Sequence, residues 1–328
     1  MKERSDSLTL KGLIAAQGRL PTNHHMQSSL SAKQASIEAG IGGEERVAEV
    51  LRSYTFPLKH HIFHDLSLAS DSTFQIDHLI QTPIFGVILE TKNISGSLEF
   101  KDHPPQLIQT KDDGQKNSYE SPVTQLERNT EQLSLWLTAR NIQLPLFGAV
   151  VLAYPKQIVA VPPADTTILF PNMIPPFING LPQGDRKLKP DAFRWLASEL
   201  VNRHRPYIPK PICESYQIPF GDFQPGVRCT TCGKLGMIKH KRTWHCPACK
   251  INDSTAHVKE LQEWFLIFKR SITNRECREF LQVEDKYTAN RILQSMDFRS
   301  EGTFKDRKYF MDLRKSLQPG DIKPRIHS

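Results

Sequence analysis

Four cysteines in the C-terminal third constrain the fold of this 328-residue chain more than any other feature. They form two CxxC pairs, Cys229/Cys232 and Cys246/Cys249, separated by 13 residues. This spacing is typical of a zinc ribbon, in which each pair forms a tight turn that directs two thiolates at one ion. Four thiolates leave no position for water, so we expect a structural Zn²⁺. The sequence therefore predicts a ribbon over residues 226–252 whose folding depends on zinc.

The remaining composition is that of an ordinary folded protein. Hydrophobic residues make up 38% of the chain and charged residues 24%, and the length predicts two or three domains. The longest nearly apolar stretch, residues 144–154, has about half the length that a membrane-spanning helix needs. The first residues show no apolar block typical of a secretion signal. We therefore expect a cytoplasmic protein without membrane association.

Charge is distributed unevenly along the chain. Residues 205–328 contain 23 Lys or Arg and 14 Asp or Glu, whereas residues 1–204 contain 20 and 21. The net charge of +8 therefore arises entirely in the C-terminal third. A basic segment beside a neutral one is typical of a polyanion-binding appendage, because phosphate contacts release counterions. A basic surface that contacts only solvent would contain the same excess of Lys and Arg.

The order of predicted elements indicates an α/β fold for the first two-thirds of the chain. Apolar residues at helical spacing predict a helix over residues 44–54. Short strand patterns follow at residues 61–68, 73–81, 86–91 and 97–101, and a helix with proline in its first turn begins at Pro122. An apolar run over residues 144–153 and the segment 166–170 suit two further strands. Proline-rich sequence over residues 155–225 surrounds a helix at residues 191–203.

Three short motifs in this region bring carboxylates and a lysine together. Glu90 and Lys92 are two residues apart in a predicted strand, so both project to the same face. If the preceding strand pairs with this one, Asp77 lies across the ladder from Glu90. Glu44 is expected to open the preceding helix. Mg²⁺ or Mn²⁺ prefers such oxygen ligands, and an adjacent lysine can orient water or stabilise developing charge.

The ordered set of these motifs resembles the nuclease-related domain (NERD), which is similar to the PD-(D/E)xK endonuclease superfamily. The matching residues are Gly40, Gly43 and Glu44 in GxxGE, Asp77 in QIDH, Glu90 and Lys92 in ExKN, and Gln125 in PxxQ. The resemblance covers about residues 15–155, including the lead-in RLPTNHH at 19–25. It implies a mixed sheet flanked by helices.

The resemblance also implies a role for each matching residue. Asp77 and Glu90 would bind Mg²⁺ together with the carbonyl of Thr91, and Glu44 would support the metal. Lys92 would be catalytic, and Gln125 would line the site or contact the substrate backbone. An isolated ExK on a solvated strand is common, and a nuclease fold can be retained without activity. A non-catalytic DNA-binding or regulatory scaffold is therefore the alternative to a nuclease.

The predicted ribbon is itself basic. No Asp or Glu occurs over residues 223–252, whereas the segment contains Lys239, Lys241 and Arg242 among other cations. Trp244 lies among them and could either stack on nucleic-acid bases or pack the core of the ribbon. These features predict contacts with phosphates.

Residues 256–315 resemble a winged helix-turn-helix domain, with a helix over residues 257–270, a capping box at Thr273 and Glu276, a second helix and a hairpin. The segment KYTANRILQSM would be the recognition helix. The residues then expected to contact nucleic acid are Lys286, Asn290 and Arg291 on this helix and Arg307 and Lys308 on the wing. A small helical protein–protein module is the alternative.

The predicted organisation has five parts. These are an N-terminal helical lead-in (1–39), a NERD nuclease-like domain (40–204), a proline-rich linker (205–225), the zinc ribbon (226–252) and the winged-helix-like domain (256–315). The predicted function is metal-dependent phosphodiester cleavage, with DNA as the favoured substrate and RNA left open. The sequence also leaves open whether the protein forms a homo-oligomer.

Overall fold

The computed structural model describes residues 2–303 and 306–314. Two compact units account for these residues: the first contains residues 2–5 and 36–206, and the second contains residues 6–35 and 207–314 apart from 304–305. Both contain helices and sheets, so the predicted α/β class is confirmed. The predicted domain boundaries stay predictions. Residue 1 of the predicted lead-in lies outside the described residues. The same is true of residues 304–305 and 315 of the predicted winged-helix-like domain.

The first unit consists mainly of strands and the helices that cover them. The strands are β1 (His61–Ala69), β2 (Thr73–Gln81), β3 (Gly86–Lys92), β4 (Ser97–Asp102), β5 (Pro105–Thr110), β6 (Lys116–Glu120), β7 (Leu146–Leu152), β8 (Ile158–Val161) and β9 (Ile168–Leu169). The helices are most of α2 (Gln27–Ser53), α3 (Pro122–Thr138), α4 (Ile174–Asn179) and α5 (Pro190–Asn202). A single 3₁₀ turn, Pro171–Met173, precedes α4.

A five-stranded mixed sheet forms the centre of this unit. Its order is β1-β2-β3-β7-β9, with antiparallel pairing from β1 to β3 and parallel pairing from β3 to β9. Ile88 of β3 packs with α3 and α5 on one face, whereas Val87 and Leu89 pack with α2 and α4 on the other. Strand β3 is therefore apolar on both sides, as expected for a strand covered by helices on both faces.

A second sheet in the first unit has the order β6-β5-β4-β8. Its apolar face is small and includes Leu98, Phe100 and Leu107. The sequence predicted β4 alone among these four strands. The other three are short, and β6 and β8 are largely exposed, so their apolar pattern is weak.

Helix α2 corrects the prediction that Glu44 opens a helix. The helix runs without a break through Gly40, Gly42 and Gly43, and Glu44 lies in its interior. Each glycine lowers helix propensity by about 1 kcal/mol relative to alanine, which is why the sequence suggested a boundary. At Gly43 the helix packs closely against its neighbours, because an added Cβ would lie 2.8 Å from Cβ of Asn93.

Among the described residues, the second unit contains five complete helices, the beginning of α2 and seven short strands. The helices are α1 (Leu8–Gln17), α6 (Ile212–Tyr216), α7 (His257–Ile267), α8 (Asn274–Leu281) and α9 (Lys286–Ser295). The strands are β10 (Val227–Arg228), β11 (Leu235–His240), β12 (Thr243–His245), β13 (Asn252–Asp253), β14 (Ile272–Thr273), β15 (Arg299–Glu301) and β16 (Lys308–Phe310). The segment predicted as a linker contains α6 and a 3₁₀ turn, Phe220–Asp222.

Two small antiparallel sheets organise this unit. One has the order β10-β11-β12-β13 and contains the CxxC turns, and the other has the order β14-β16-β15 beside α8 and α9. The Thr273 side chain accepts a hydrogen bond from the backbone of Glu276, so the predicted capping box is present. The winged-helix resemblance itself stays a prediction. In the described part of the chain, helices that are both long and apolar enough to cross a bilayer are absent.

Candidate active site and zinc centre

A cleft of about 350 Å³ lies in the first unit, beside β2, β3 and α3. Its lining includes four of the residues that the sequence singled out: Asp77, Glu90, Lys92 and Gln125. The arrangement follows from strand pairing, since His78 lies opposite Leu89 and the next step of the same register places Asp77 beside Glu90. The structure therefore brings the acidic and basic side chains of two separate motifs into one cleft.

Asp77 is held by the backbone of the neighbouring strand. Its Oδ2 accepts a hydrogen bond of 2.8 Å from the N–H of Thr91. Burial raises the pKa of Asp77 well above its usual value, and the charges of Glu90 and Glu44 raise it further. A carboxyl in this environment is ionised most readily when a cation compensates the neighbouring charges.

Glu90 and Lys92 form an ion pair on the same face of β3. The distance from Lys92 Nζ to Glu90 Oε1 is 2.7 Å, and Glu90 is buried. Burial opposes the charge on Lys92, but the carboxylates of Glu90 and Asp77 outweigh it and hold the lysine pKa above its usual value. Lys92 is therefore a charged hydrogen-bond donor at neutral pH rather than a general base.

Glu44 approaches this group from α2. Gly43 allows the close contact, because a Cβ there would meet the side chains of Asn93 and Ala153 at 2.8 and 3.2 Å. Arg4 of the N-terminal segment pairs with Glu44 at 2.9 Å. Burial raises the pKa of Glu44 to about 7, although Arg4 partly counteracts this effect.

The donor chemistry of this cluster fits a hard divalent cation. The charges of Glu90 and Glu44 raise the pKa of Asp77, and the charge of Glu90 also raises the pKa of Glu44. The ligand oxygens of Asp77, Glu90 and Glu44 do not all lie within 4.8 Å of one another. Asp77 and Glu90 would be the principal ligands, with Glu44 in support.

Gln125 lies on α3 at the rim of the cleft. Its Nε2 donates to Glu120 at 2.9 Å, while its Oε1 is buried and has no hydrogen-bond partner among the described residues. Two neighbours on the same helix, Arg128 and Asn129, also line the cleft. The sequence motifs did not indicate them, although helical spacing from Gln125 places both near its face.

The four cysteines of the two CxxC pairs converge as predicted. Their sulfur atoms all lie within 4.8 Å of one another, with 3.5 Å between Cys229 and Cys249 and 3.6 Å between Cys232 and Cys246. Sulfurs in a tetrahedral zinc site are separated by roughly 3.8 Å. Hydrogen bonds, the strongest from the Cys232 backbone and others from the Thr231 backbone and neighbouring thiols, lower the pKa of Cys229 to about 6. The cluster could therefore hold zinc.

The ribbon core explains two further residues. Trp244 is fully buried, so packing of the ribbon core, rather than base stacking, accounts for it. Gly233, in the first CxxC turn, has a φ of +74°, where glycine is favoured. Of the two cysteines outside the CxxC pairs, Cys277 is buried and Cys213 is partly buried.

The residues predicted to bind nucleic acid fall into two groups. Four of them line one groove of the second unit: Lys239, Lys241, Arg242 and Arg291. The other four have separate locations: Lys286 lies over the Tyr287 ring, Asn290 accepts from Tyr309, and Arg307 and Lys308 lie at β16. The structure therefore brings ribbon and helix residues together in one groove, and their binding of nucleic acid stays a prediction.

Comparison with known families agrees with the motifs in the first unit. Residues 39–153 match the family model described as the nuclease-related domain, NERD. The matched region contains Glu44, Asp77, Glu90, Lys92 and Gln125. Neither the curated proteins nor the solved structures yielded a significant match. A nuclease-related domain is thus found over this part of the chain.

Proposed function

We propose that this protein is a metal-dependent nuclease that cleaves phosphodiester bonds in DNA. The observation that carries the proposal is the cleft in which Asp77, Glu90 and Lys92 meet, inside the region that matches the nuclease-related domain. The basic C-terminal third would supply affinity for the polyanionic substrate.

Each residue of the cleft has a proposed role. Asp77 and Glu90 hold Mg²⁺ or Mn²⁺, and Glu44 contributes charge from α2. When bound, the ion would polarise the phosphodiester and lower the pKa of a water molecule. Lys92, which carries its proton at neutral pH, donates to the oxygen on which negative charge develops. Gln125, with its unpartnered Oε1, positions the substrate backbone or water.

A non-catalytic nucleic-acid-binding scaffold is the second candidate. It is favoured by the ion pair between Lys92 and Glu90, which occupies one oxygen of a proposed metal ligand. The ligand oxygens of Asp77, Glu90 and Glu44 do not fully converge, which also favours the scaffold. The two candidates differ in whether any substrate is cleaved in a metal-dependent manner.

The test compares cleavage of supercoiled, linear and single-stranded DNA, and of RNA, in Mg²⁺, Mn²⁺ or EDTA. Asp77→Asn and Glu90→Gln keep the side-chain shape but remove a charge, so metal affinity and cleavage should fall together. Lys92→Ala leaves both carboxylates in place. We expect it to retain metal binding, measured by calorimetry, and to lose on the order of 10²–10³ in rate.

Strand β4 provides a matched control. Glu99 and Lys101 form an ion pair with the same ExK spacing but outside the cleft. Glu99→Gln and Lys101→Ala should leave cleavage unchanged. If the wild type shows no metal-dependent cleavage of any substrate, the result supports the scaffold. If cleavage survives both Glu90→Gln and Lys92→Ala, the active site lies elsewhere.

A further inference from the structure

Four cations line one groove of the second unit. Lys239 of β11, Lys241 and Arg242 of the next turn, and Arg291 of α9 surround a volume of about 640 Å³. Asp and Glu are absent from the described residues that line it. Burial and the charge of Arg291 lower the pKa of Lys239. Within the described residues, none of the four forms an ion pair with a carboxylate, although the charge of Asp285 interacts with that of Arg291.

Two carboxylates in this part of the unit are already engaged by their own loops. Asp285 caps α9 and accepts hydrogen bonds from the backbone N–H groups of Tyr287 and Thr288. Asp253 accepts from the backbone and side chain of Thr255. Both therefore fix local backbone structure, and neither forms an ion pair with a cation that lines the groove.

His257 adds a neutral donor to the same groove. Its Nδ1 accepts a 3.0 Å hydrogen bond from the indole N–H of Trp244. Indole nitrogen can only donate, so the proton of a neutral His257 must be on Nε2. Burial, with the charge of Lys239, lowers the pKa of His257 to about 4 and keeps the ring neutral.

The Nε2–H of His257 is buried and has no acceptor within the structure as described. An unsatisfied buried donor costs free energy, so it should be satisfied in the functional state. The ligand must accept hydrogen bonds and carry negative charge, because the surrounding side chains offer mainly N–H and O–H donors. A phosphate group, with several acceptor oxygens and one or two charges, meets both requirements.

We propose that this groove binds a phosphate group of a nucleic-acid strand, with His257 as neutral donor and Lys239, Lys241, Arg242 and Arg291 as cationic contacts. The phosphate chemistry follows from the groove, and the choice of a nucleic acid rests on the proposed function. The groove thus gives the basic C-terminal third one defined binding site in place of diffuse attraction.

The test measures binding of fluorescent 20-nucleotide DNA by full-length protein in EDTA, as single strand and as duplex, at several salt concentrations. Lys241→Asn and Arg291→Gln should weaken binding by about tenfold and reduce the slope of log affinity against log salt by about 1. Lys250→Asn is the matched control for Lys241→Asn. Both lysines lie in the ribbon with positive φ, +48° and +64°, which asparagine tolerates.

Arg275→Gln is the control for Arg291→Gln, since Arg275 is exposed on α8 and pairs with Glu279. Both controls should change affinity less than about twofold. Equal losses in groove variants and controls would overturn the proposal, because diffuse attraction depends on total charge and not on position.

His257 gives a second, charge-independent readout. His257→Phe should weaken binding at least about tenfold without changing the salt slope, because the lost donor is neutral. His257→Gln keeps an acceptor for Trp244 and a donor for phosphate, and should bind nearly as the wild type. Zinc content and circular dichroism establish folding. If His257→Phe does not fold, the proposal is tested by comparing Lys241→Asn with Lys250→Asn and Arg291→Gln with Arg275→Gln.

The source of the phosphate is tested with strands that carry or lack a 5′-phosphate. If the site takes a terminal phosphate, the groove variants lose affinity for phosphorylated strands alone. If it takes the internal backbone, they lose affinity for both, and either result supports the proposal. Binding losses without metal-dependent cleavage would leave this site standing and refute the nuclease. Cleavage with unaltered binding by all groove variants would refute this site alone.

Discussion

Arg19 shows how much one side chain can contribute to the second unit. It is completely buried, its guanidinium pairs with Glu260 and Glu263, and it lies 4.3 Å from the Phe280 ring centre. Burial lowers its pKa to about 10, which leaves it charged at neutral pH. The residue lies in the RLPTNHH lead-in, which by sequence was associated with the nuclease-like domain. Its contacts instead join the segment after α1 to α7.

Arg19→Ala should therefore destabilise the second unit strongly. The substitution removes the buried cation that pairs with Glu260 and Glu263, although both retain a contact with Arg228. Breaking a buried ion pair typically costs about 3–5 kcal/mol. Arg275→Ala, which removes an exposed ion pair on α8, should cost less than about 1 kcal/mol. Urea denaturation combined with hydrogen exchange of peptides from α7 measures both. Equal stability of the two variants would show that the buried pairs contribute no more than surface ones.

At the scale of a single element, α2 contains three glycines with different surroundings. Gly43 lies against Asn93 and Ala153, whereas an added Cβ at Gly40 would meet no atom within 4 Å. Local propensity is the same for both, and only packing distinguishes them. The close approach at Gly43 is what brings Glu44 into electrostatic range of Asp77 and Glu90.

The two glycines should respond oppositely to alanine. Gly40→Ala should raise the free energy of unfolding by up to about 1 kcal/mol through helix propensity. Gly43→Ala gains the same propensity, but the clash costs roughly 1–3 kcal/mol, so we expect net destabilisation and weaker metal binding. Thermal unfolding and metal titration of both variants check this. Stabilisation by both substitutions would mean that α2 does not pack closely at Gly43.

At the scale of the whole molecule, the first unit has extensive apolar clusters on both faces of its sheet, and the second contains the four-cysteine cluster. Removal of zinc should therefore destabilise the second unit and not the first. The ribbon segment is too small to fold on apolar burial alone, so metal binding would supply folding free energy there.

Freshly purified, reduced protein should contain about one zinc per chain. Cys229→Ser or a strong chelator should lower zinc content and increase hydrogen exchange over residues 226–252, with little change in β1–β3. Cys213→Ser, which removes a cysteine outside the cluster, should retain the metal. Elemental analysis and exchange mass spectrometry provide the measurements. Protein that contains no zinc, or a chelator that first unfolds the central sheet, would contradict this assignment.

The sequence by itself determined the features that depend on short spacing. The CxxC pairs, the ExK alternation and the capping box at Thr273 each involve residues within a few positions, whose geometry follows from turn, strand or helix periodicity. The Asp77–Glu90 proximity also followed, because a short hairpin fixes the register.

Only the tertiary structure decided what depends on distant packing. It placed Glu44 inside a continuous helix, assigned residues 6–35 to the same unit as the C-terminal third, and buried Trp244. It also brought ribbon and α9 cations to one groove and left the Nε2–H of His257 without a described acceptor. Such contacts join residues far apart in the chain, and the physical reason is that burial and close packing, not local propensity, set their free energy.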